Sequence, residues 1–196
     1  MTDELFTSDG KRKYLNAAEQ AKFIAAAGQH ERGEVRTFCL VMAHTGCRIS
    51  EALALTPEGI DLAEGVIVFR TLKQREHVRY RAVPVPESTL DALELVHGIR
   101  KARRSKRVGE PLWSWGRTRA WQLVGEVLAA AGIEGPHASP KGLRHAFGVL
   151  AAEKTRNPRL VQKWLGHTTL ETTMIYMDLV GAEEQKTARA MWTQAA

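Results

Sequence analysis

Cationic and imidazole side chains at the ends of predicted helices are the residues of this sequence best suited to chemistry. Taken singly, each one is explained by an ordinary solvated surface position. Together they form a set that stands where the chain turns, and its members are Arg48, Lys73, Lys141, Arg144, His145 and His167. The common motifs GxxxxGKS/T, GxGxxG, HExxH, GxSxG and CxxC are absent, which excludes the chemistries that depend on them.

Two arginines of this set are placed to bind a phosphate. Arg48 lies in TGCRISEALAL, where Gly46 closes one predicted helix and the arginine opens the next, beside Ser50 or Glu51 as a partner. Arg144 lies in SPKGLRHAFG, on the predicted first turn after a break that contains proline. Each guanidinium can bond two oxygens at once, and fixed cations stabilise the charge that gathers on a phosphoryl group in transfer. The pair therefore predicts a phosphoryl-transfer site.

Tyr176 is the candidate nucleophile among the three tyrosines of the chain. Tyr14 stands in a polar leader, and Tyr80 is predicted to be half-buried on a strand that shares a face with Val78 and Ala82. Tyr176 follows His167 by nine residues in a short amphipathic segment. An unperturbed tyrosine has a pKa near 10 and needs cations and a base to attack at neutral pH. The alternative is that Tyr176 packs in the core with Trp164 and Met174.

The elements that must position these residues are mainly helical. Apolar spacing predicts helices over 16–27, 34–45 and 48–55, and Thr56-Pro57 stops the last of them. The period then changes: residues 60–62, 66–72 and 78–85 are predicted strands of one antiparallel sheet, with the polar segment KQREH in a hairpin. Helical spacing returns at Leu90, Leu93, Val96 and Ile99, then at Trp121, Val124, Leu128 and Ala131, and further helices are predicted over 142–153, 158–165, 169–177 and 181–192.

The order of the motifs resembles a known family. The run TGCRISE, then Lys73 in a hairpin, then LRH, then LGHTTLETTMIY is similar to the catalytic domain of tyrosine recombinases, the phage integrase family, from about Tyr14 to Trp192. The resemblance implies an α+β fold that is mainly α-helical with a small three-stranded antiparallel sheet, the DNA breaking-rejoining fold. It also implies a site-specific recombinase that cuts and rejoins DNA through a 3′-phosphotyrosine, in integration, excision or inversion.

The resemblance assigns a role to each motif residue. Arg48 and Arg144 would clamp the scissile phosphate, Lys73 would protonate the leaving 5′ oxygen, and Tyr176 would attack. Lys141 and His167 would donate to the phosphate, although most family members have His where Lys141 stands. A lysine still donates to a phosphate oxygen, so we expect activity to survive this change. Glu51 and His145 are expected to support the site from behind these residues.

Basic residues elsewhere predict contacts with the DNA backbone. Six of the eight residues from Arg100 to Arg107 are basic, namely Arg100, Lys101, Arg103, Arg104, Lys106 and Arg107. A solvated helix end explains this run equally well. Arg117 and Arg119 form a second candidate patch among Trp113, Trp115 and Trp121, and we expect these tryptophans to be core. Phosphate contacts of this kind position a protein without selecting a sequence.

Bulk properties agree with one basic globular domain. The 196 residues carry 28 Lys and Arg against 22 Asp and Glu, a net charge of +6 that favours an anionic partner. We expect a polar leader over 1–13, a catalytic domain over 14–196 and no preceding core-binding domain. With no apolar run or signal segment, we expect a cytoplasmic protein that binds double-stranded DNA and no membrane. The two cysteines are expected to be buried thiols, and no metal or cofactor is expected.

The final stretch GAEEQKTARAMW is amphipathic and resembles the family's last helix, which docks on a neighbouring subunit. The resemblance thus implies a tetramer on paired sites, whereas packing on its own domain is the alternative. Two other functions remain open. A type IB topoisomerase uses similar residues to relax DNA, and a non-catalytic DNA-binding regulator could keep the fold, an interpretation that the lysine at position 141 supports.

Overall fold

The computed structural model describes residues 5–71, 79–179 and 188–192. Up to residue 179, the described residues form nine α-helices and one three-stranded sheet. The helices are α1 (Ala17–Gln29), α2 (Gly33–Thr45), α3 (Ile49–Leu53), α4 (Glu87–His97), α5 (Ile99–Arg103), α6 (Arg117–Ala130), α7 (Pro140–Thr155), α8 (Pro158–Leu165) and α9 (Glu171–Met177). The strands are β1 (Ile60–Asp61), β2 (Val66–Thr71) and β3 (Arg79–Pro84), antiparallel in the order β1-β2-β3. The predicted fold class is confirmed.

Local sequence explains where the helices begin and end. Asn16 accepts a hydrogen bond from the Glu19 amide and Glu19 accepts one from the Asn16 amide, so α1 starts in a capping box. Gly46 closes α2 with a φ of 58°, as predicted. Gly98 does the same after α4, and it interrupts the helical spacing that the sequence suggested from Leu90 to Ile99. The basic segment that follows is therefore a separate short helix, α5.

The main core surrounds α2. Nine of the thirteen residues of this helix are buried, and α1, α4 and α7 pack against it. Cys39 and Cys47 are free thiols inside this core, as expected. The sheet adds the buried side chains of Ile67 and Phe69 on β2 to this core. These residues pair with Val83 and Arg81 on β3. The core thus holds the end of α2 and the start of α3 in fixed positions.

A second, smaller cluster lies on the other side of α7. It contains Leu5, Ala151, Ala152, Val161, Leu165 and Tyr176. Leu5 is only 2% exposed, so the chain ahead of α1 packs against α7, α8 and α9. Tyr14 belongs to the same region, where its ring meets Phe6 edge to face. Leu5, Phe6 and Tyr14 thus pack on the domain, while the residues from Ser8 to Lys11 are exposed.

Two predicted orientations were wrong. Tyr80 was expected to be half-buried but is 67% exposed, because Arg81 and Val83 point to the core instead. Trp121 was expected in the core but is 54% exposed, whereas Trp113 is buried. The first error concerns which face of β3 meets the core. The second concerns Trp121 alone, because Val124 and Leu128 of the same predicted stretch are buried.

The predicted final helix falls partly outside the described residues. Residues 188–192 are helical, and Met191 and Trp192 are 66% and 76% exposed. Within the described ranges no helix combines the length and the apolar character needed to cross a bilayer.

Candidate active site

Arg144 is anchored by backbone carbonyls. It lies on α7, which starts at Pro140 with Ser139 as its cap, so Arg144 is in the second turn rather than in the first as predicted. Its Nη1 donates to the carbonyl of Gly46 at 2.7 Å and its Nη2 donates to that of Leu165 at 2.8 Å. The side chain therefore ties α7 to the ends of α2 and α8.

Arg48 is fixed by Glu51, the partner that the sequence suggested. Its Nη1 donates to Glu51 Oε1 at 2.9 Å, and its backbone amide donates to Oε2 at 2.8 Å. About a third of the Arg48 side chain stays open to solvent, at 30%, while Glu51 is 2% exposed. Glu51 therefore orients Arg48 from inside the protein, as expected of a supporting residue.

Arg81 is a buried cation that the sequence interpretation missed. Its Nη2 donates to Glu51 Oε2 at 2.7 Å and its Nε donates to the carbonyl of Trp164 at 2.8 Å. Its guanidinium also lies 4.8 Å from the ring centre of Phe69. A signal was present, because Arg81 is in phase with Val83 and Val85 along the strand, the phase of the buried face.

The two buried arginines share the end of α8. Arg81 binds the Trp164 carbonyl and Arg144 binds the next one, that of Leu165. The last carbonyls of a helix lack partners within it and carry the negative end of its dipole, so cations stabilise them. Gly166 then turns the chain with a φ of 67°. This arrangement fixes the position from which His167 leaves the helix.

The charge state of these groups follows from their neighbours. Burial raises the pKa of Glu51, but the hydrogen bond and charge of Arg81 outweigh it and hold that pKa below the ordinary value. Burial lowers the pKa of Arg144 to about 10, and the nearby charge of Arg48 adds to the effect. Glu51 is therefore ionised and Arg144 protonated at neutral pH.

A cavity of about 400 Å³ opens between α3, α6 and α7. Its walls are Cys47, Arg48, Ile49, Ser50, Arg117, Trp121, Ser139, Pro140, Lys141, Arg144 and His145. Four of these side chains are Lys or Arg, and among the described residues no Asp or Glu lines the space. The predicted residues Arg48, Lys141 and Arg144 thus converge on one positively charged cavity.

Tyr176 and His167 lie behind this cavity rather than in its wall. Tyr176 is 3% exposed, and its hydroxyl is 2.9 Å from Nδ1 of His145. The ring of His167 stacks on that of Tyr176 with centroids 6.0 Å apart, and its Nδ1 bonds Thr173. Tyr176 therefore packs in the second cluster, which Trp164 also contacts, whereas Met174 is 37% exposed and is not part of it. Tyr176 is also joined to the cavity through His145.

Both histidines are neutral at physiological pH. Burial lowers the pKa of His145 to about 4, and the charges of Lys141 and Arg144 contribute to this shift. Burial likewise lowers the pKa of His167 to about 3, with contributions from Arg144 and Arg48. The cation-rich site thus disfavours imidazolium, and a neutral His145 can accept a hydrogen bond from the Tyr176 hydroxyl.

The remaining predicted site residues lie apart from this cavity or outside the described chain. Lys73 falls in the segment 72–78, outside the described residues. The six basic residues of 100–107 are exposed on and after α5, and none lines the cavity. Of the second patch, Arg117 lines the cavity and Arg119 pairs with Glu126. Throughout the described ranges, no group of three or more His, Cys, Asp or Glu is arranged to hold a metal ion.

Fold and site together define the class of this protein. Helices around one small sheet bring cations from separate segments to a single cavity, with a tyrosine behind it. The phage integrase family model matches residues 13–182, and the chain belongs to this family as a tyrosine recombinase catalytic domain.

Known relatives agree with this assignment. Tyrosine recombinase XerD of Vibrio vulnificus is 32% identical over 139 residues, which cover 67% of this chain and 44% of the relative. The crystal structure of XerH site-specific recombinase bound to palindromic difH substrate superposes with a TM-score of 0.75 at 25% identity, covering 92% of this chain and 53% of that one. The catalytic domain of bacteriophage HP1 integrase, with a TM-score of 0.62 at 22% identity, covers 92% of this chain and 95% of that one and supports the fold. The chain spans about half the length of the curated relatives it matches.

Proposed function

We propose that this chain cleaves and rejoins DNA strands as the catalytic part of a site-specific recombinase, acting in integration, excision or inversion. The observation that carries the proposal is the position of His145. One side of His145 lines the cationic cavity and the other meets the Tyr176 hydroxyl. A shift of Tyr176 along this contact brings its oxygen toward a phosphate held by Arg48, Lys141 and Arg144.

The proposed reaction is a reversible phosphoryl transfer. The Tyr176 oxygen forms a bond to phosphorus, the bond from phosphorus to the 5′ oxygen breaks, and the strand is held as a 3′-phosphotyrosine. The neutral His145 accepts the hydrogen bond of the Tyr176 hydroxyl and orients it. The phenolic proton is released to water as the oxygen bonds phosphorus, and Lys73 donates a proton to the leaving 5′ oxygen. Arg48 and Arg144 stabilise the charge on the non-bridging oxygens in the transition state. The released 5′ hydroxyl of this or another strand reverses the steps.

The test is capture of the covalent intermediate. The full chain is incubated at low ionic strength with nicked duplexes from its own genomic neighbourhood, and DNA that remains attached in denaturant is sequenced. Low ionic strength matters because phosphate contacts weaken steeply with salt. We expect a DNA adduct on a defined sequence that Tyr176→Phe abolishes.

The exposed Tyr80 offers a matched control. Tyr80→Phe should form the adduct as the parent chain does. An adduct that survives in Tyr176→Phe would refute the nucleophile. Equal adducts on unrelated plasmid DNA would favour relaxation by a topoisomerase, and binding without any adduct would favour a regulator.

The exposed basic residues are proposed to follow the DNA backbone on either side of the cavity. The run from Arg100 to Arg107 and the pair Arg117 and Arg119 stand on the surface without deep burial. Such residues supply affinity that is independent of sequence. Neutralising one residue that binds a phosphate lowers the slope of log affinity against log salt by about one. Filter binding of charge-neutral variants over a salt series measures this slope.

The end of the chain is proposed to dock on a second copy, with a tetramer as the assembly on paired sites. Met191 and Trp192 support this, because their side chains are largely exposed in the single chain. We expect Met191→Ser with Trp192→Ser to weaken assembly on DNA, measured by light scattering, and to preserve folding. Leu95→Ser is the matched control, since Leu95 is 80% exposed on α4. Equal assembly by both variants would contradict the docking role.

A further inference from the structure

Trp121 stands out as a large apolar side chain outside the buried face of α6. Ala120, Leu123 and Val124 are each at most 1% exposed, whereas Trp121 is 54% exposed. Single exposed apolar side chains are common on protein surfaces, so this exposure alone carries no functional meaning. The location of Trp121 is informative, however, because this residue lines the same cavity as Arg48, Lys141 and Arg144.

Arg117 shares this wall of the cavity. Arg117 and Trp121 are four residues apart on α6, so they lie on the same face of the helix, and both line the cavity. Other parts of the lining come from Arg48, ahead of α3, and from Lys141 and Arg144 on α7. The cavity therefore combines three cations from α3 and α7 with an indole and one further cation from α6.

The size of the cavity exceeds what a phosphate group needs. A water molecule takes up about 30 Å³ of the liquid, and a phosphate group has only five heavy atoms, while the cavity measures about 400 Å³. A phosphate on Arg48, Lys141 and Arg144 would leave most of the space unfilled. The sugar and base attached to that phosphate are the groups that would extend toward α6.

The chemistry of the wall matches those groups. Aromatic side chains stack on nucleobases and pack on sugars, a contact that tolerates any base because every base has a π face. A neighbouring arginine adds a contact to an adjacent phosphate. We propose that Trp121 forms a nucleoside-binding wall with Arg117 that holds the deoxyribose and base next to the scissile phosphate. This inference rests on the proposed cleavage of DNA and adds a residue to it.

The first test observes the indole directly. In a ¹⁵N-labelled chain, the Trp121 indole signal is assigned by its loss in Trp121→Phe, and the protein is titrated at low ionic strength with thymidylyl-(3′→5′)-thymidine or with inorganic phosphate. We expect the dinucleotide to shift the Trp121 signal and phosphate to leave it nearly unchanged. The proposal is overturned if the dinucleotide does not shift the Trp121 signal. It is also overturned if phosphate alone shifts that signal equally.

The second test separates stacking from charge. Trp121→Ala should weaken binding of the nicked duplex about five-fold or more, since loss of one stacking contact costs about 1–3 kcal/mol. Trp121→Phe should restore most of the affinity. The salt dependence of binding should stay unchanged in Trp121→Ala and fall in Arg117→Gln, because of these two residues only the arginine carries a charge that can pair with a phosphate.

Controls keep the two proposals distinguishable. Leu95→Ala removes an exposed apolar side chain outside the cavity and should bind as the parent does. Trp121→Ala should retain its melting temperature, since the side chain is exposed. Unchanged affinity of Trp121→Ala with a normal adduct refutes the wall alone, whereas absence of the adduct in the parent chain refutes the proposed function itself.

Discussion

The residues proposed to bind phosphate and the proposed nucleophile belong to different parts of the molecule. Arg48, Glu51, Arg81 and Arg144 rest on the main core, and each is held by hydrogen bonds at 2.7–2.9 Å. Tyr176 belongs to the small second cluster, to which Leu5 also contributes. Regions with few buried neighbours open at lower free-energy cost than a main core. We therefore expect the proposed nucleophile to move at a smaller cost than the cationic site.

The largest effect is expected at Arg81, in the fixed region. Arg81→Met leaves the buried Glu51 carboxylate without its closest partner, so the free energy of unfolding should fall by about 3–5 kcal/mol. Urea denaturation measures it. Arg79→Met, at the exposed first position of the same strand, should change it little. Adding Glu51→Gln to Arg81→Met should recover part of the loss, and a full loss in the double variant would show that this ion pair is not the cause.

The next largest effect is expected for substitution of Arg144, which both anchors α7 and lines the cavity. Arg144→Lys keeps a charge but cannot reach both the Gly46 and the Leu165 carbonyls, and we expect the rate of adduct formation to fall by about 10²–10³. Single-turnover cleavage measures this rate. The exposed Arg159 on α8 lines no part of the cavity, and Arg159→Lys serves as control. If Arg144→Lys forms the adduct at the parent rate, a positive charge at this position is sufficient and the two carbonyl contacts are not required.

His145, between the two regions, predicts a pH dependence of stability. Its pKa is lowered from 6.5 to about 4 in the folded protein, so the unfolded chain binds the proton more tightly. Unfolding therefore takes up a proton below pH 6.5, and stability should fall as the pH drops from 6.5 to 4, by at most about 3 kcal/mol from this group. His145→Asn keeps a polar group near Tyr176 and does not titrate. Its unfolding free energy should depend less on pH, and an unchanged slope would exclude His145.

The smallest effect tests how easily the nucleophile moves. A Cβ at Gly148 would lie 2.6 Å from the Tyr176 ring, so Gly148→Ala should push the ring aside at a cost of about 1–3 kcal/mol. Nitration by tetranitromethane, located by mass spectrometry, should reach Tyr176 faster in this variant. Gly125→Ala on α6 meets nothing within 4 Å, and it should stabilise the helix by about 0.5–1 kcal/mol. Unchanged nitration in Gly148→Ala would mean that the second cluster is as rigid as the first.

Much of the fold could be predicted because its signals are local. Gly46 ends α2, proline at position 57 stops the helical pattern, and alternating residues mark β2 and β3. The motif residues Arg48, Lys141 and Arg144 could be selected because they stand beside such turns. The structure places these three in one cavity wall.

It was harder to predict from the sequence whether the side chains of Arg81, Tyr80 and Trp121 point toward the core or toward solvent. Periodicity gives each element two sides, and contacts far along the chain decide which one is buried. Arg81 faces inward because Glu51, 30 residues earlier, and Trp164, 83 residues later, supply its acceptors. Trp121 lines the cavity beside α6. A local window of sequence shows neither the two acceptors of Arg81 nor this cavity.

The anchoring of Arg144 has a consequence for how this site tolerates sequence change. Both of its acceptors, at Gly46 and Leu165, are main-chain oxygens, and every amino acid provides one. Substitution of the neighbouring side chains leaves those oxygens in place as long as the two helices end where they do. The position of Arg144 thus depends on where the two helices end. Diverged relatives can therefore keep the arginine in the same place while the side chains around it change.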